Sequence, residues 1–422
     1  MYELSTLDNG LRVLTVTMPH VQSVSAGFFL GVGSRYESAA LAGASHFVEH
    51  MLFKGTARRP TARDIAEAIE GRGGVFNAST GLETTLYWAK AAASHLPETL
   101  DVLSDMLLGP TFDPLEMEKE RAVIGEEIAY SLDVPDSLVQ ILVNQLQWPD
   151  HPLGRDIAGT RQSVTGLGRE ALLAYLSAHY RPNRTILGLA GQVRHNEALA
   201  LARSYLADWQ AAGPSDYEPA PPDHNGPSLH VEYREVEQAH LNFSFTSVSR
   251  LDPDRFVVQL LNVLLGEGMR SRLFQEVREH LGLAYSVDSY ISLYQDAGAF
   301  GIYAGVAADR LAESIRAILG ELDRLCQEPV SQDELDKGRE FVKGRLALSL
   351  EDSFSLAAWY AQQQILGNEV LDPEEVIARF EAVQPADIQR LAQTLFQNER
   401  LNLAVVGPFA DNGDGLRQAV HL

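Results

Sequence analysis

Two histidines four residues apart, with a glutamate just before the second, are the residues most able to do chemistry: Ser45-His46-Phe47-Val48-Glu49-His50. On a helix, positions i and i+4 lie on one face a turn apart, so His46 and His50 can offer two imidazoles to a single metal ion. Glu49 stands beside them, able to hold a water without ligating the metal. This H-x-x-E-H order reverses the commoner H-E-x-x-H and is itself a zinc-protease signature. Catalytic zinc takes three protein ligands and keeps a fourth position open, so a third donor must come from elsewhere in the chain.

The best source is the helical stretch 115–130, LEMEKERAVIGEEIAY, with Glu116, Glu118, Glu120, Glu126 and Glu127. Glu120 and Glu127 are seven residues apart, about 700° of helix rotation, and share a face to within roughly 20°. Val123 and Ile124 flank that face and can draw both carboxylates inward. The pattern does not choose between Glu126 and Glu127.

Elements able to position these groups are legible in the hydrophobic pattern. Strand-like runs occupy residues 11–18, 23–30, 75–80, 85–89 and 185–190 in the first half. In the second they occupy 229–236, 241–247, 284–294 and 298–306, with another in NERLNLAVVG near the end. Helical patterns at 170–179 and 386–396 precede the last strand of each half. Strands grouped with helix pairs, without a regular βαβ rhythm, predict an α+β fold with mainly antiparallel sheets. Residues 211–229 carry five of the 19 prolines and read as an extended linker. The expected organisation is therefore an N-terminal metal-binding domain at 1–210, a Pro-rich linker at 211–228, and a similar C-terminal domain at 229–422.

The remaining composition narrows the function. The 422 residues carry 57 Asp+Glu against 34 Lys+Arg, a net charge of −23, which argues against nucleic acid as a partner. It is compatible with basic peptides or a cationic metal. The single Cys326 excludes an intrachain disulfide and a multi-cysteine zinc site. No run of about 18 apolar residues is present to span a membrane. The start, MYELSTLDNGLRVLTV, shows no secretory or transit pattern, so a cytoplasmic location is expected.

Taken together, these residues resemble the M16 (pitrilysin-like) metallopeptidases, in particular the short subfamily of the mitochondrial processing peptidases and their bacterial relatives. LDNGLRVL is similar to that family's opening strand and turn, and ASHFVEHMLFKGT to its zinc helix. The family's third ligand is a glutamate 76–77 residues beyond the second histidine, preceded by another glutamate seven residues earlier. The resemblance thus implies Glu127 as ligand and Glu120 as its supporting carboxylate. GGVFNAST resembles the family's edge strand, which implies that Asn77 and Ala78 receive a substrate backbone by strand addition. LLGEGMRSRLFQEVREHLGLAYSV is similar to a block whose Arg and Tyr reach the active site, here Arg278 and Tyr285. The loop Gly266-Glu267-Gly268 is poorer in glycine than the family's and is not assigned to the site.

What the resemblance implies is a zinc endopeptidase with one Zn2+ per active chain and peptide as substrate. His46, His50 and Glu127 would hold the metal, Glu49 would be general base, and Tyr285 and Arg278 would stabilise and steer. Longer relatives build a four-domain chamber, of which this length supplies half. Arg278 and Tyr285 are therefore expected to act in a homodimer, or in a heterodimer with an M16 homologue. The competing reading is a catalytically silent M16-like scaffold that binds peptide without cutting it; the complete zinc signature argues against it.

Overall fold

The computed structural model describes residues 2–211, 213, 216–221, 227–367, 369–409 and 416. The Pro-rich stretch lies partly outside these residues, Pro214 and Pro222 included; Pro219 and Pro221 sit in backbone that is neither helix nor strand.

The chain packs into two compact units. The first holds Met1–Ala129, Asp156–Glu218 and Ala347–Asp372, and the second Tyr130–Arg155, Pro219–Leu346 and Pro373–Leu422. In the first unit, β1 (Glu3–Thr6), β2 (Arg12–Thr17), β3 (Ser23–Leu30), β4 (Val75–Thr80), β5 (Thr85–Ala92) and β6 (Thr185–Gly191) form a sheet ordered β1-β2-β6-β3-β5-β4. Only β2–β6 is parallel. The second unit carries β7 (Ser228–Tyr233), β8 (Gln238–Ser247), β9 (Ala284–Leu293), β10 (Gly298–Ala307) and β11 (Leu401–Gly407), ordered β7-β11-β8-β10-β9, with β11–β7 parallel. The two similar halves and the mainly antiparallel pairing are those expected from the sequence.

β3 is buried along all but its first residue and β6 along its whole length, which is why SVSAGFFL and TILGLAG read as continuous apolar runs. One face of this sheet is covered by α1 (Ala44–Leu52), α2 (Ala62–Glu70) and α3 (Leu96–Leu108), with Phe28, Phe47, Val48, Met51, Ile65 and Leu103 in one core. α4 (Pro114–Asp133) adds Met117, Ile124 and Ile128 to it. The other face is covered by the helix Ser353–Leu366, a segment from late in the chain. Trp88 stacks on Phe354 at 4.4 Å, Lys90 pairs with Asp352 at 2.6 Å, and Ser25 meets Ser353 at 2.8 Å. In the second unit, α5 (Pro135–Gln147), a segment from early in the chain, plays the corresponding part. Leu138, Val139 and Val143 pack on Ala404 and Val406, while Gln147 and Gln140 accept hydrogen bonds from the buried amides of Asn402 and Asn242, each at 2.8 Å. No helix among the described residues is long and apolar enough to cross a membrane.

The turn between β4 and β5 is fixed from outside. Ser34 and Arg35 donate backbone N–H groups to Gly81 and Leu82 at 3.1 and 2.9 Å. The buried Arg35 guanidinium pairs with Glu83 at 2.7 Å. Gly33 permits this approach, because a Cβ there would lie 2.2 Å from the Gly81 carbonyl oxygen. Backbone cannot yield as a side chain can, so Gly33→Ala is expected to destabilise the protein by about 1–3 kcal/mol in urea unfolding. Gly166→Ala, whose added methyl meets nothing within 4 Å, should stay within about 0.5 kcal/mol of the parent.

Candidate functional site

α1 buries Ala44, Ser45, Phe47, Val48, Met51 and Leu52. With those positions inward, His46, Glu49 and His50 are left on a half-buried stripe. The helix is anchored at its N-terminus by the buried Glu37, whose carboxylate accepts from the Gly43 and Ser45 N–H groups at 2.8 and 2.6 Å. A carboxylate at this position satisfies N–H groups that the helix cannot and complements its dipole. Gly43 precedes the helix at φ +93°, a left-handed conformation, with the Ala158 carbonyl 2.6 Å from where a Cβ would sit.

Three donor atoms converge where α1 faces α4. The Nε2 atoms of His46 and His50 are 3.3 Å apart, and Glu127 Oε2 lies 3.7 and 3.6 Å from them. Ligand atoms around a tetrahedral zinc with bonds of about 2.0–2.2 Å are about 3.3–3.6 Å apart, so this donor set fits the ion. Burial, then the neighbouring His50, lowers the His46 pKa to about 4, which keeps its imidazole neutral and its lone pair available. His46 Nδ1 is buried and has no hydrogen-bond partner among the described residues. Of the two adjacent glutamates, Glu127 is the one in this cluster. Ile124 is fully buried beside it, whereas Val123 is 44% exposed, so the flanking pair is apolar inside on one side only.

Glu120 lies in the buried stripe of α4 and accepts from His50 Nδ1 at 2.9 Å. That bond holds the proton on Nδ1 and turns Nε2 toward the other donors. Lys54, a residue the sequence did not single out, pairs with the other Glu120 oxygen at 2.7 Å. Burial pushes the Glu120 pKa up, but hydrogen bonds from Lys54 and His50 outweigh it, and the carboxyl sits below its ordinary value.

Glu49 is outside the donor cluster. Its Oε2 accepts from the Thr80 hydroxyl, also missed in the sequence, at the end of β4. Burial raises its pKa, offset in part by Thr80 and His50 and reinforced by Glu127.

β4 is the last strand of its sheet and pairs only with β5 among the described residues. Gly81 N–H bonds to Thr84 O at 2.8 Å, one step beyond the Thr80–Thr85 pair. Antiparallel pairs alternate between bonded and non-bonded, so the N–H and C=O groups of Phe76, Ala78 and Thr80 face the open edge. Asn77 is exposed, and its Oδ1 covers the outward Ala78 N–H at 2.8 Å. In the second unit, Arg278 lies on the π-helical turn Phe274–His280 and Tyr285 near the start of β9. The Arg278 guanidinium carbon is 4.8 Å from the Phe274 ring centroid and 5.5 Å from that of Tyr285, whose side chain is 74% exposed.

The family model described as Insulinase (Peptidase family M16) matches residues 12–161, and that described as Peptidase M16 inactive domain matches 166–341. An uncharacterized zinc protease of Streptomyces coelicolor is 36% identical over 413 residues, covering 96% of this chain and 90% of that protein. The uncharacterized zinc protease YmxG of Bacillus subtilis is 36% identical over 415 residues, covering 97% and 98%. The chain belongs to the M16 peptidase family. In fold it is similar to a protease from Helicobacter pylori, with a TM-score of 0.91 at 23% identity over 97% and 99% of the two chains. A Pseudomonas fluorescens structure described as a peptidase M16 inactive domain gives 0.89 at 19%, over 97% and 98%. The Streptomyces and Bacillus relatives are named zinc proteases, and the His46, His50 and Glu127 donor set of this M16 chain fits that ion.

Because Glu120 orients His50, Glu120→Ala is expected to weaken zinc binding about 10–100-fold. Competition with a chelator would measure it; unchanged affinity would remove Glu120 from the support of the metal. His50→Ala should abolish stoichiometric zinc binding.

Proposed function

We propose that this M16 chain is a zinc-dependent endopeptidase that cuts extended, unstructured peptides, including basic presequence-like segments. The observation that carries the reading is the meeting of three features in one unit: a zinc-shaped donor set, a carboxylate beside but outside it, and an open strand edge tied to that carboxylate through Thr80.

Zinc held by His46, His50 and Glu127 would supply a Lewis acid that polarises the scissile carbonyl and acidifies water. Glu49 takes the proton from the attacking water and passes it to the leaving amine. Its burial favours the protonated form it must adopt between those events. Thr80 engages Oε2 and leaves Oε1 for the proton. The outward groups of Phe76, Ala78 and Thr80 hold the peptide extended, with Asn77 turning from the Ala78 N–H to the incoming backbone. Tyr285 donates to the developing oxyanion and Arg278 steers the substrate, both supplied by a second chain in a dimer.

Mass spectrometry of an unstructured peptide mixture tests the core of this. Zinc-loaded wild type should produce fragments, while Glu49→Gln should bind zinc normally and lose at least about 100-fold in turnover. Equal fragment yields would sink the base assignment, and intact peptides with both proteins would favour a silent peptide-binding scaffold. The dimer proposal has its own test. Mixing Glu49→Gln chains with Tyr285→Phe chains should restore part of the activity, and subunits that exchange yet stay inactive would show that Tyr285 does not act in trans.

A further inference from the structure

Glu49 has three side-chain torsions, and a base that does not ligate the metal must be aimed by something else. Its Oε2 accepts from Thr80 Oγ1, which lies on β4 rather than on α1. Thr80 is well suited to aim it. A β-branched side chain is stiff at χ1, and the backbone on either side is fixed. β4 pairs with β5 through Thr80–Thr85, Thr85 Oγ1 donates to the Val32 carbonyl at 2.9 Å, and Gly81 and Leu82 accept from Ser34 and Arg35. The same residue also presents its own N–H and C=O at the open edge of the sheet.

We propose that Thr80 is a positioning residue for Glu49, and that through it the strand edge that receives a peptide also sets the aim of the base. A peptide strand bonded to Thr80's backbone immobilises the hydroxyl that holds Glu49, so alignment would be tightest when substrate is in place. This rests on the peptidase reading above, and the experiment separates the two.

Two substitutions isolate the hydroxyl: Thr80→Val keeps the shape without the donor, and Thr80→Ser keeps the donor without the methyl. Thr80→Val is expected to lower kcat on the order of 100-fold, the scale of a misplaced reacting group. KM and zinc content should stay near wild type, and Thr80→Ser should recover most of kcat. In a Glu49→Gln background, Thr80→Val should cost nothing further, because Thr80 acts through that side chain. A readout independent of turnover comes from the zinc-free protein, where the melting-temperature shifts of Thr80→Val and Glu49→Ala should fail to add. Wild-type kcat in Thr80→Val, no recovery in Thr80→Ser, or additive melting shifts would each overturn the proposal. Non-additive shifts in a protein that cuts no peptide would overturn the peptidase reading and uphold the Thr80–Glu49 pairing.

Discussion

Three electron-pair donors, one of them an anion, face one another at 3.3–3.7 Å, and no proton can satisfy them all. Without a cation that arrangement is repulsive, so the surrounding structure must impose it. Two helices do so. α1 contributes His46 and His50 and is pinned by the Phe47, Val48 and Met51 core beneath it and by Glu37 at its N-terminus. α4 contributes Glu127 and is seated by Met117, Ile124 and Ile128. The Lys54–Glu120–His50 chain then ties the two helices together beside the donors. A cleft held this rigidly pays little reorganisation when an ion enters, which is how a protein raises affinity and geometric selectivity together.

The two halves repeat an architecture but not a chemistry. In the first unit, the helix after the opening strands carries histidines and a glutamate on its half-buried stripe. In the second, the helix in that position is Arg255–Leu265, RFVVQLLNVLL, in which every residue from Phe256 to Leu265 except Gln259 is buried. A helix buried nearly all round has no face left for a metal. The second unit instead carries the half-buried Arg278 beside the exposed Tyr285, within the residues 166–341 matched by the family model described as inactive.

Much of this was legible in the sequence, for physical reasons that also mark the limit. Strands such as residues 23–30, 75–80 and 185–190 announce themselves by apolar runs or alternation, and the histidine pair by the i, i+4 face of a helix. Glu127 was not separable from Glu126 by pattern, since neighbouring residues differ by about 100° of helix rotation and the tilt of α4 decides between them. Lys54 and Thr80 were missed because their roles depend on tertiary contacts. Thr80 meets Glu49 across 31 positions, in a stretch also holding Ser79, Thr84 and Thr85, with nothing local to distinguish its hydroxyl. Nor could periodicity tell which sheet a helix covers. Neither α5 nor Ser353–Leu366 carries a local sign of the sheet it covers, and each is specified for its sheet by polar pairs: Gln147 with Asn402 in one unit, Asp352 with Lys90 in the other.

Two carboxylates near one imidazole are shifted in opposite directions in proton affinity, and the difference lies in what each is given as a partner. Glu120 loses solvent but gains a lysine ammonium and a histidine N–H, so it stays anionic and serves as a fixed acceptor. Glu49 loses solvent and gains a neutral hydroxyl, so burial prevails and its affinity for a proton rises. An ammonium beside Glu49 would have aimed it equally well, but would have stabilised the carboxylate and weakened the base. A hydroxyl fixes direction while leaving most of the basicity in place. On the proposed peptidase reading, threonine at position 80 and lysine at position 54 suit separate tasks of the two glutamates: one must keep its charge, and the other must be able to give it up.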